Sequence, residues 1–142
     1  MHLFTIPTWV FVAMAIAVAA LALWKGGWAE RAVAAAVLVE WTTENDVLLH
    51  LHPPPWFDIA WDFVILGTCV ACALRSSRYW TVAASSFALL ETVTSLMHFV
   101  PGVGVWAYLS AERVWSALLC VAIVAGVGWA RLAPMRRAAA KA

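Results

Sequence analysis

The strongest constraint on this chain is a succession of long apolar runs separated by short breaks rich in Gly, Pro and charge. The first run covers 7–24 and ends at Lys25-Gly26-Gly27. The second covers 28–51 and stops at the triple proline Pro53-Pro54-Pro55, because proline lacks the N–H that a helix interior needs. The third, 56–74, ends at Arg75-Ser76-Ser77-Arg78. The fourth, 79–99, ends at Pro101-Gly102-Val103-Gly104. The fifth covers 111–130, with Ser110 as its expected N-cap and Glu112 in its first turn, where the helix dipole favours an acid. Runs near twenty residues match the hydrocarbon thickness of a bilayer. Backbone groups cannot go unpaired there, so a span is a helix or part of a closed barrel. These runs are too long and too uniformly apolar for alternating barrel strands. The predicted fold is all-α: a polytopic integral membrane protein with five transmembrane helices. A single domain covers 1–130, and a basic, alanine-rich cytoplasmic tail covers 131–142 and is expected to fray.

Composition excludes several function classes. Hydrophobic residues make up 65% of the chain and charged residues 12%. A soluble domain carries about 25% charge. A disordered chain, a nucleic-acid binder and an ordinary cytosolic enzyme are therefore ruled out, and the net charge of +1 comes with no basic run to hold nucleic acid. The cysteines, Cys69, Cys72 and Cys120, all fall in apolar runs, so no disulfide framework is expected. Cys69-Val70-Ala71-Cys72 has C-x-x-C form but lies in the apolar half of its segment, where thiols are inert. No Lys or Arg precedes the first apolar run, so it is expected to remain as an uncleaved helix.

The bases set the expected orientation. If all five segments cross, Lys25, Arg31, Arg75, Arg78, Arg131, Arg136, Arg137 and Lys141 share one side, and Arg113 alone takes the other. Cytoplasmic loops are enriched in Lys and Arg, which predicts the N-terminus outside and the C-terminus inside. Tryptophan prefers the interfaces. Trp24, Trp28, Trp80 and Trp129 fall at the inner boundary of this arrangement. Trp56, Trp61 and Trp106, with Trp9, fall at or near the outer one. A four-span arrangement, with segment 28–51 outside or on the surface, strands only Lys25 and Arg31.

The acids show the opposite bias. Glu30 alone sits at the inner end. Glu40 lies about 18 Å along a helix from Trp28, and Glu91 about 17 Å from Trp80, so the two reach similar depth. An ionised group at the membrane centre costs at least ~2.5–3.5 kcal/mol, so segment 28–51 is expected to be buried against other helices or to line a wet cavity. Glu40 and Glu44 share a helix face. Glu91, Thr94, Ser95 and His98 form a similar stripe. Glu40, Glu44, Glu91 and His98 are the candidate ligand- or proton-binding residues. The competing explanation is structural: the groups neutralise one another and pin helix packing. His50 and His52 are weaker metal-ligand candidates, since histidines flanking an interfacial turn are cheap to solvate. Asp58 suits a helix N-terminus, and the deeper Asp62 is expected to pair with Arg113.

The stretches LWKGGWAERAVAAAVLV (Leu23 to Val39), ALRSSRYW (Ala73 to Trp80) and WAYLSAERVWS (Trp106 to Ser116) resemble a group of small, uncharacterised five-helix inner-membrane proteins of alphaproteobacteria. The resemblance covers most of the chain and rests on turn and interface motifs, so it implies a multi-pass protein of the bacterial inner membrane and no particular activity. Thr81 stands where that pattern has proline. Pro54-Pro55-Trp56-Phe57 through Trp61 is similar to the proline-tryptophan loop of the tryptophan-rich TSPO family, whose five-helix members bind porphyrins and sterols. Here two helices precede the motif where that family has one, and its other tryptophan motifs are missing. No cofactor is carried over.

The leading expectation is a non-catalytic accessory or assembly subunit of a larger membrane complex. Its partners would be the lipid bilayer and other membrane subunits or further copies of itself. The alternative is a small carrier or binding protein, using the carboxylate and histidine groups for protons, a metal ion or a polar ligand. No nucleophile–base constellation suggests an enzyme.

Overall fold

The computed structural model describes residues 8–44, 55–76, 78–102 and 104–139. Among them the chain is all-helical. Helix α1 is Thr8–Lys25, α2 Trp28–Glu44, α3 Pro55–Arg75, α4 Tyr79–Leu96 and α5 Val105–Ala139, with a 3-10 turn at Met97–Phe99. Three helices are long and apolar enough to cross a membrane, over Trp56–Arg75, Tyr79–Phe99 and Ser110–Ala130, and α1 is a shorter apolar helix. Helix α2 carries Glu30, Arg31, Glu40 and Glu44 within 17 residues.

The helices close a ring in which each packs on its chain neighbours and α5 returns to α1. Helix α2 also touches α5, so it contacts three helices. Glu30, Lys25, Arg75 and Arg78 gather at one end of the bundle, called here the basic end; the opposite end holds the remaining described acids.

Small residues set the spacing. Ala15, Ala19 and Ala22 of α1 and Ala29 and Ala34 of α2 are all buried, so the two backbones approach closely. The α1–α2 turn demands glycine: a Cβ on Gly26 would lie 2.5 Å from the Ala22 carbonyl oxygen and 2.8 Å from Glu30 Cβ. Gly102 has φ +92°, a left-handed conformation that glycine adopts without penalty, and it turns the chain towards α5. Between the two polar ends lies an apolar layer in which Val33, Ile65, Leu119 and Ile123 are fully buried.

Several expectations are corrected. Helix α5 begins at Val105, and Ser110 is no N-cap: it sits inside the helix, donating to the Trp106 carbonyl at 2.6 Å. Glu112 is thus beyond the first turn, and the helix dipole does not account for it. The backbone stays helical through Ala139 where fraying was expected, in keeping with the high helix propensity of Ala and Arg. Trp24, Trp28, Trp56, Trp106 and Trp129 are exposed, as interfacial anchors require, and Trp61 is half-buried. Trp80 is buried, because its indole fills the space left by Gly126 on α5. A Cβ on Gly126 would lie 2.7 Å from that ring. Gly126→Ala is therefore expected to destabilise the bundle by about 1–3 kcal/mol through overpacking, read as a lower thermal midpoint in detergent. An unchanged midpoint would show that the ring moves aside freely.

Candidate functional site: a buried carboxyl cluster

Four helices each bring one carboxyl group to the same region near the acidic end. Glu40 comes from α2, Asp62 from α3, Glu91 from α4 and Glu112 from α5. Glu40, Asp62 and Glu91 are 3%, 4% and 4% exposed, and Glu112 is half-buried. The burial follows from amphipathic spacing. On α4, Ala84, Ala88, Glu91, Thr92 and Ser95 recur at three- and four-residue intervals on the inward face. On α5, Glu112, Ser116, Leu119 and Ile123 follow the same rhythm.

The carboxyl groups meet few hydrogen-bond donors. The Ser116 hydroxyl donates to Glu91 Oε1. The Ser95 hydroxyl lies 3.1 Å from the Glu91 carbonyl oxygen and 3.2 Å from Glu112 Oε1, and within hydrogen-bonding reach of the Asp62 carboxyl. It has one proton for these three acceptors. Thr92 spends its proton on the Ala88 carbonyl at 2.9 Å, with the Asp62 carbonyl oxygen further off at 3.4 Å. The Asp62 carboxyl lies close to that of Glu40, and Asp62 Oδ2 is buried with no partner. Glu91 feels the charges of both Asp62 and Glu112. Two hydroxyl groups thus serve Asp62, Glu91 and Glu112.

Cations stay at the edge. Arg113 acts electrostatically on Glu112, and its guanidinium lies over the Phe11 ring at 5.6 Å. Phe11 in turn stacks on the buried Trp41, centroids 5.6 Å apart. The expected Asp62–Arg113 pair is not formed, because Asp62 faces Glu40 and Ser95 instead.

The structure brings Glu40 and Glu91 together with Asp62 and Glu112. His98 is not drawn in. It lies beyond α4 in the 3-10 turn, exposed, with its ring against Phe99 at 5.6 Å and close enough to Asp58 to act on its charge. Thr94 is half-buried and accepts a hydrogen bond from Trp115 Nε1 at 3.1 Å. Glu44 ends α2, but its side chain lies outside the described residues, as do His50 and His52. Among the described residues no three His, Cys, Asp or Glu side chains are placed to hold a metal ion. Cys69, Cys72 and Cys120 are buried free thiols.

Sequence reading missed the roles of Asp62, Glu112, Ser95 and Ser116 as a set. The usable signal was spacing: Glu112 and Ser116 are one turn apart, as are Glu91 and Ser95. A search of known protein families, of curated proteins and of solved structures finds no match to this chain. The functional reading therefore rests on the cluster's own chemistry.

Ser116→Ala removes the donor to Glu91 and leaves a buried acceptor bare, at an expected cost of about 1–3 kcal/mol. In a Glu91→Leu background the same substitution should cost less than half as much. Equal costs in both backgrounds, measured by chemical or thermal unfolding, would show that the two side chains do not interact.

Proposed function

We propose that this chain is a small multi-pass membrane carrier that binds protons on its buried carboxyl cluster, with Glu40, Asp62, Glu91 and Glu112 as the binding groups. The observation that supports this reading is the donor shortage: Asp62, Glu91 and Glu112 share two hydroxyl protons, and an Asp62 oxygen is buried with no partner. A proton supplies a missing donor directly. Held between two carboxyl groups, it turns a repulsion into a hydrogen bond. It also needs neither a wide cavity nor a coordination sphere. Ionisable groups inside spans commonly serve proton relays.

In this reading all five helices cross a bacterial inner membrane, with the N-terminus outside and the C-terminus in the cytoplasm. The 18 residues of α1 rise about 27 Å, close to the ~30 Å hydrocarbon core. Helix α2 crosses with its acids turned towards α1, α3 and α5. An accessory subunit would set a partner protein against the exposed apolar side chains. These occur on every helix, Leu23, Val39, Phe63, Leu89 and Val121 among them, and lipid contact explains them without a partner protein.

Liposomes holding the purified protein and a trapped pH dye test the carrier reading. The protein is expected to dissipate an imposed pH gradient several-fold faster than protein-free liposomes, and Asp62→Asn combined with Glu91→Gln should abolish the gain. Equal rates for the parent and the double variant would overturn the reading. Reporter fusions at Lys25 and Pro54 test the five-span arrangement and are expected to give opposite compartment signals; matching signals would remove α2 from the membrane.

A further inference from the structure

We propose that the Glu30–Arg78 ion pair is a latch, closed in this structure, that holds the two helical hairpins together at the basic end and is released when the carboxyl cluster is loaded. This inference rests on the carrier reading above. Glu30, the first acid of α2, is fully buried, and its Oε1 accepts from Arg78 Nη1 at 2.5 Å. The pair joins two turns. One is Gly26-Gly27 between α1 and α2, and the other is the link between α3 and α4 in which Arg78 stands. Closing it holds the α1–α2 hairpin against the α3–α4 hairpin at the basic end.

Three local features suit a contact that opens. First, Glu30 Oε2 is buried with no hydrogen-bond partner. A fixed structural pair gains most when every lone pair is satisfied, and a half-satisfied buried pair is a poor permanent clamp. Second, the Arg78 side chain is 39% exposed, so its guanidinium can leave Glu30 for water without crossing an apolar barrier. Third, Gly27 leaves room for the pair: a Cβ there would sit 3.0 Å from Glu30 Oε2 and 3.5 Å from Arg78 Nη1. The Arg78 backbone, by contrast, is held in place, its carbonyl accepting from Thr81 Oγ1 at 2.6 Å. The side chain alone is free to swing.

Helix α2 links the two sites. Glu30 and Glu40 are about 15 Å apart along it. Loading the cluster changes what holds the acidic end of α2, and releasing Arg78 changes what holds its basic end. Cys72 lies near Glu30, buried, with its thiol 4.0 Å from the Ala29 carbonyl oxygen. Cys69 lies one turn further from the basic end and is also buried. These two thiols report opening at the basic end and distinguish it from general loosening.

The test uses the full chain in lipid nanodiscs, with either Cys72 or Cys69 as the sole cysteine, and a water-soluble maleimide. With Arg78→Gln, Cys72 labelling is expected to accelerate about ten-fold, while Cys69 stays within about two-fold of its parent rate. Arg78→Lys, which keeps the charge, should keep Cys72 slow. With the pair intact, Asp62→Asn combined with Glu91→Gln should also speed Cys72, because an uncharged cluster mimics the loaded one. Unchanged Cys72 labelling on breaking the pair would overturn the latch, and equal acceleration of both thiols would reduce it to a packing contact. No response to the cluster variant would overturn its coupling to the cluster. The liposome flux assay judges the carrier reading separately, so the two failures are distinguishable.

Discussion

Burying a carboxylate costs several kcal/mol, and α2 brings two such groups, Glu30 and Glu40, into the interior of the bundle. That cost decides where α2 sits. Like α5, it touches three neighbours, and both acids face inwards. Arg78 from the α3–α4 link meets Glu30, while Asp62 of α3 meets Glu40. The apolar residues Val33, Ile65, Leu119 and Ile123 fill the layer between.

The polar ends are solved differently. At the basic end a cation is available, and a direct ion pair forms. At the acidic end the nearest cation, Arg113, is occupied by the Phe11 ring, which itself lies on Trp41. Asp62 and Glu91 there are met by serine hydroxyl groups and by neighbouring carboxyl groups. Each end leaves a carboxyl oxygen without a partner, Glu30 Oε2 at one and Asp62 Oδ2 at the other, but only Glu30 has a cation against its second oxygen. Burial alone does not distinguish the two; the supply of donors does.

Much of the fold was legible in the sequence. Apolar runs broken by Gly, Pro and charge located the helices, and the anomalous charge of α2 pointed to Glu40. The inward turn of Glu91 followed from its depth in an apolar run. What could not be read was which acids share a neighbourhood. Asp62 and Glu112 each had an adequate local explanation, a salt bridge for one and a helix dipole for the other, and both explanations fail in three dimensions. The dipole argument depended on a helix start that lies further upstream. The salt-bridge argument assumed that opposite charges at similar depth must meet, when an aromatic ring competes for the guanidinium. Trp80 misled for a related reason. Its position suits an interface, but Gly126 on another helix offers the ring a closer fit.

The indole of Trp80 against Gly126 also has a mechanical meaning. It locks α4 to α5 along a seam with no room to slide, and the buried alanines of α1 and α2 do the same for their own seam. Tightly interlocked surfaces resist shear, so each pair moves as one body. A rearrangement that preserves both seams would swing one pair against the other rather than slide a helix within its pair.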